Sequence, residues 1–260
     1  MICSLFFAAM LGISSQTGIA SEAANQSART VSPEPTTTST AARRPPLSRE
    51  MRGDIFMARK MFGDAIEQYK AAPESASTYN KIGIAYHQLQ ELEVAKKYYQ
   101  RAVKFDPRYS DAVNNLGTVY YADKSYRRAV GQYKKALRLS PKSSTIFSNL
   151  GSAYFSRHDF KRAIECYNTA LSLDPEVFDH HGTAGVLLQE STVDDRATFY
   201  YYMARVYARN GSVDHALQYI RKALEQGFRD RKKFRDDPDF ASLQKLPEFQ
   251  KIMTSEPRVL

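Results

Sequence analysis

Between Ser77 and Pro175 the small, aromatic and apolar positions of this chain recur with a step of 34 residues. Gly83, Gly117 and Gly151 mark the step, and Tyr86, Tyr120 and Tyr154 keep it. So do Ala95, Ala129 and Ala163, then Tyr99, Tyr133 and Tyr167, then Ala102, Ala136 and Ala170, and finally Pro107, Pro141 and Pro175. A fixed step of this length is the signature of a stacked array. Within each unit the spacings of three and four residues place these positions on one inward stripe of a helix. The glycine predicts a close approach by a facing helix, with the tyrosine three residues later filling the space beside it. The proline cannot continue the second helix and sets the turn into the next unit.

The strings NKIGIAY, NNLGTVY and SNLGSAY resemble the first helix of the tetratricopeptide repeat family. VAKKYYQRAVKFDP, RAVGQYKKALRLSP and RAIECYNTALSLDP resemble its second. The resemblance implies an all-α, right-handed α–α superhelix. Three strong units fill residues 76–177. Upstream, Gly53, Phe56, Ala65, Tyr69 and Ala72 match at an offset of 30 and predict a degenerate repeat over 47–75, short of about one turn in its second helix. Downstream, Ala204, Tyr207, Ala216, Ile220 and Ala223 match at an offset of 53, so a further unit over 197–228 follows an insertion at 178–196. That makes about five helix pairs. Pro238-Asp239-Phe240 and Pro247-Glu248-Phe249 predict short proline-started helices with the Phe inward, and residues 229–260 read as the cap that closes the stack. Arg229 to Arg235 reads as solvated surface.

The ends differ in kind. Met1 to Ile13 is uncharged and apolar, too short for a membrane span and fit for a signal-peptide core, with cleavage expected after Ala20. Residues 21–46, rich in Ser, Thr, Ala and Pro, lack the apolar side chains of a core and read as a disordered tether. The expectation is an exported protein of the periplasm or cell envelope, possible retention by an uncleaved leader included. With two cysteines far apart, Cys3 and Cys166, no disulfide framework is expected.

Charge is unevenly placed. Of a formal net charge of +9, residues 76–143 contribute eight. Lys96, Lys97, Arg101, Lys104, Arg127, Arg128, Lys134, Lys135 and Arg138 belong to second helices, which in this family line the convex side. A solvated face is the plain reading; a module binding cell-wall polymer or anionic lipid is the alternative. Nucleic acid is not an expected partner.

In this family the first helices line a concave groove, and the register names the side chains there. Asn115 and Asn149 resemble the asparagine ladder of superhelical members, whose amides donate and accept at peptide units; the same Asn could instead bond the neighbouring helix. Lys81 and Tyr202 flank them in that column, with Asn80 and Tyr201 one position earlier. Thr118, Ser152 and Arg205 follow the glycine column, and Tyr121 and Phe155 offer aromatic anchors. Arg205 and Arg209 favour an acidic segment. The pattern of the family's chaperone-tail clamp is absent. Asp179-His180-His181 lacks the remaining ligands of a metal site, and no phosphate loop, nucleophile elbow or zinc string occurs. The sequence therefore predicts a non-enzymatic scaffold, without cofactor or metal, that holds an extended segment of another protein.

Overall fold

The computed structural model describes residues 46–178 and 193–255. The chain divides at Pro45–Pro46, and all described residues belong to the second unit. The segments expected to be a leader and a tether, and most of the expected insertion with its two histidines, lie outside the described residues.

The array is helical throughout its described residues. First helices α1 (Arg49–Ala58), α3 (Ala76–Gln88), α5 (Ser110–Ala122), α7 (Ser144–Phe155) and α9 (Val193–Arg209) each pack on a second helix. Those partners are α2 (Phe62–Lys70), α4 (Leu92–Phe105), α6 (Tyr126–Leu139), α8 (Phe160–Leu173) and α10 (Val213–Glu225). Each second helix then packs on the next first helix, and α3 touches α5 as α5 touches α7. The result is an α–α superhelix. The shortness expected of the first unit falls on α2, which has 9 residues where α4, α6 and α8 have 14. α9 has 17 residues and begins at Val193, so it takes up the last positions of the span read as insertion.

One socket repeats through the stack. A Cβ built on Gly83, Gly117 or Gly151 would stand 2.6, 2.6 or 2.5 Å from the ring of Tyr99, Tyr133 or Tyr167, and one on Gly53 2.4 Å from Tyr69. The ring that needs the glycine is thus the second-helix tyrosine of the same unit. Tyr86, Tyr120 and Tyr154, expected beside the glycine, contribute none of the atoms nearest to it. In the last unit Ala204 replaces the glycine and Ile220 replaces the tyrosine, both fully buried. A branched aliphatic leaves room for the methyl that a ring excludes.

The first helices all end alike. Lys60, Gln90, Lys124, His158 and Gly211 have φ of 59°, 63°, 58°, 57° and 74°, the left-handed conformation. The next residue's N–H reaches back to the carbonyl of Phe56, Tyr86, Tyr120, Tyr154 or Tyr207, at 2.9–3.0 Å. This is a Schellman closure, and it reverses the chain between the two helices of each pair.

The far end is sealed by α11 (Arg231–Asp236), a 3₁₀ turn η1 (Pro238–Phe240) and α12 (Pro247–Thr254). Phe240 and Phe249 point inward, and Phe234 is fully buried with them. Phe234 corrects the reading of 229–235 as plain surface: its basic neighbours face water while the ring packs on Tyr201 and Phe228.

Candidate functional site

Asn80, Asn114, Asn115 and Asn149 form one chain of side-chain amides across α3, α5 and α7. Asn149 Nδ2 donates to Asn114 Oδ1 at 2.9 Å, Asn114 Nδ2 to Asn115 Oδ1 at 3.3 Å, and Asn115 Nδ2 to Asn80 Oδ1 at 2.9 Å. Asn80 and Asn149 are buried; Asn114 and Asn115 are half-buried. The bond to the neighbouring helix is therefore realised, and each amide is held in a fixed orientation by the next. Asn114, one 34-residue step after Asn80 in the column three before the glycine, joins the two pairs into one chain.

Thr118 and Ser152 serve the glycine socket. Tyr133 Oη donates to Thr118 Oγ1 at 3.3 Å, and Tyr167 Oη to Ser152 Oγ at 3.2 Å. Asp54 stands at the equivalent position in the first unit and accepts from Tyr69 Oη at 2.8 Å. Burial alone would raise the Asp54 carboxyl, but hydrogen bonds from Lys81 and Tyr69 and the Lys81 charge outweigh it and hold its pKa low. Lys81 Nζ sits 2.8 Å from both Glu50 and Asp54, so its charge is matched within the chain.

The aromatic candidates are mostly seams between units. Tyr121 Oη lies 2.9 Å from Ser156 Oγ of the next unit. Phe155 is buried among Phe160, Phe199 and Tyr202, and Tyr202 stacks on Phe160 at 4.6 Å between centroids. Of the aromatic candidates Tyr121, Phe155, Tyr201 and Tyr202, Tyr202 alone is half-buried and the others are buried. Tyr201 is buried, stacks on Phe228 at 4.8 Å and donates to Asp237 Oδ2 at 2.7 Å.

Arg205 and Arg209 do hold an acidic segment, and it is the protein's own. Arg205 Nε is 2.8 Å from Asp237 Oδ2 and from Asp239 Oδ2; Arg209 Nε is 2.7 Å from Asp239 Oδ1. Burial works against the Arg205 charge, yet the two aspartates win and raise its pKa. These contacts pin η1 to α9. Of the candidate site residues, those that remain solvent-accessible are Lys81, Asn115, Thr118, Tyr202, Arg205 and Arg209. Asn80, Tyr121, Asn149, Ser152, Phe155 and Tyr201 are buried between helices.

Among the described residues no group of three His, Cys, Asp or Glu side chains could hold a metal ion, and no helix is long and apolar enough to cross a membrane.

Tetratricopeptide repeat families match residues 80–144, 144–177 and 197–226. The chain belongs to the tetratricopeptide repeat family, and an array of this kind is a scaffold for protein–protein interaction. No curated protein matches the chain. Solved structures similar in fold include MamA from Desulfovibrio magneticus RS-1, at 18% identity over 68% of this chain and 92% of that one, with a TM-score of 0.48. Cut9, in the APC/C hetero-tetramer Cut9-Hcn1, is 19% identical over 70% of this chain and 33% of its own, with a TM-score of 0.50. YrrB, described as a tetratricopeptide protein with an unusual peptide-binding site, is 20% identical over 52% and 70%, with a TM-score of 0.44. At these identities the likeness concerns the fold.

Proposed function

We propose that this array is a non-enzymatic adaptor that holds an extended segment of another protein along its first helices. The four-amide chain carries the reading. Each Asn side chain has two N–H donors, and each inter-amide bond engages one. Asn114 and Asn115 are half-exposed, so their second donors can pair with a peptide carbonyl while the lateral bonds keep the amides oriented, which lowers the entropy lost on binding. Tyr202 offers a partly exposed ring at the far end of the same rank. An acidic stretch in the partner would compete with Asp237 and Asp239 for Arg205 and Arg209. The apolar run Met1–Ile13 supports an envelope location for the adaptor.

The test is a pull-down from envelope extract with the full chain beside its Asn115→Ala and Tyr202→Ala variants, each matched to the parent in helicity and melting. The reading expects one protein retained by the parent and released by both variants. Equal retention by all three refutes it.

A second reading, a module that binds an anionic envelope component through its basic second helices, is favoured by one observation. Among the described residues Lys97, Lys104, Arg127, Lys135 and Arg138 make no ion pair, although all lie on α4 or α6.

A further inference from the structure

The last residues of α4, α6 and α8 are Phe105, Leu139 and Leu173, one period apart. Each ends a second helix, so the three form a row along one edge of the array, where the chain passes from one unit to the next. The opposite edge carries the left-handed reversals. Phe105 is 57% exposed and Leu173 40%, while Leu139 is half-buried. The Phe105 ring forms a T-shaped pair with Tyr79, with centroids 6.1 Å apart.

Cations flank this row in register. Arg101, Lys104 and Arg108 stand four before, one before and three after Phe105; Lys135, Arg138 and Lys142 stand at the same offsets from Leu139. At the same offsets from Leu173 the chain has Thr169, Ser172 and Glu176, so the basic grid is confined to two units. Of the six, Arg101 makes an ion pair, with Glu74 at 3.8 Å, and its guanidinium also lies 4.3 Å from the Tyr79 ring centroid; the Asp106 carboxylate beside Phe105 accepts the Arg108 backbone N–H at 2.8 Å. The other five make no ion pair among the described residues.

Uncompensated cations alone would suit any polyanion. The apolar row decides between partners. A hydrated polymer gives an exposed Phe nothing, whereas the boundary between headgroups and acyl chains accepts an aromatic tip while lipid phosphates meet the surrounding cations. We propose that this edge docks on the surface of an anionic bilayer, with Phe105 and Leu173 entering the acyl boundary and the six cations facing phosphates. The inference rests on the second reading above and narrows it from the convex basic side to one edge and from any anionic component to lipid.

The chain contains no tryptophan, which gives a direct probe. F105W places a single indole in the row. L89W places one at the opposite edge, about 20 Å away along α4, at a site 41% exposed. Both full-length variants are titrated with phosphatidylglycerol-containing vesicles, with pure phosphatidylcholine vesicles and with soluble polyphosphate. The expected result is a blue shift of F105W emission, and its quenching by brominated acyl chains, with the anionic vesicles alone. L89W stays unchanged. Adding Arg138→Gln and Lys142→Gln should shift the F105W titration midpoint by at least tenfold, since each cation near an anionic surface contributes about fivefold. The apolar leader is common to all variants and reports through neither indole. If F105W is silent while the protein still sediments with anionic vesicles in a cation-dependent way, the lipid-insertion inference is overturned and the basic-surface reading survives. A blue shift with polyphosphate alone overturns it too. If neither emission nor sedimentation depends on the cations, both readings fall.

Discussion

Gly117→Ala would place a methyl group 2.6 Å from Cε1 and 2.8 Å from Cδ1 of Tyr133, a ring with no exposed surface. The ring cannot swing away without losing its hydroxyl contact to Thr118 and its packing beneath α5. Forcing one methyl into such a site costs about 1–3 kcal/mol. Against that, alanine is a better helix residue than glycine by about 1 kcal/mol. Gly131 supplies the internal control: it lies inside α6, and a Cβ there meets nothing within 4 Å. Gly131→Ala should therefore raise stability by about 1 kcal/mol, and Gly117→Ala should lower it by about 1 kcal/mol. The gap of about 2 kcal/mol is the ring clash. In an array of this size each kcal/mol moves Tm by about 2–4 °C, so the two variants should straddle the parent in a thermal melt followed by circular dichroism. Ala204 and Ile220 show how the clash is relieved. Adding Tyr133→Ile to Gly117→Ala should recover about 1–2 kcal/mol relative to the sum of the single effects. The reasoning fails if both alanines shift Tm alike, or if Gly117→Ala and Tyr133→Ile combine additively.

Lys124→Gly relieves a left-handed backbone at φ 58° and should stabilise the array by about 0.5–1 kcal/mol in chemical denaturation, while the same change at Lys134, inside α6, should destabilise it by a similar amount. Burial lowers the His87 pKa, so the unfolded chain takes up that proton first as pH falls. Stability should then decline below about pH 6.5, the ordinary histidine value, and His87→Gln should flatten that part of the pH–Tm profile.

The helix pairs were legible because a 34-residue step survives any surface substitution. What the step could not reveal was which partner fills each position. Two tyrosines per unit share the inward stripe, and periodicity alone does not say that Tyr133 rather than Tyr120 lies over Gly117. The left-handed column was invisible because Lys60, Gln90, Lys124 and His158 have nothing in common except a backbone angle. Asn115 and Asn149 were legible as a ladder, but their lateral partners Asn80 and Asn114 are set by how far one unit is rotated on the next. The acidic partner of Arg205 and Arg209 was anticipated in its chemistry and not in its origin, since Asp237 and Asp239 return from about 30 residues later in the chain through a cap whose Phe234 was disguised by basic neighbours.

The glycine socket has its key and its keyhole inside one unit: Gly83 with Tyr99, Gly117 with Tyr133, Gly151 with Tyr167. The amide chain, by contrast, crosses from unit to unit. Lengthening or shortening the array by a whole unit carries every socket along intact, and the bonds to be rematched are those that cross the new joint, the asparagine pairs and contacts such as Tyr121–Ser156 among them. Length is thus a property this chain can change in 34-residue quanta without redesigning its core, whereas the order of its units is written in the amides.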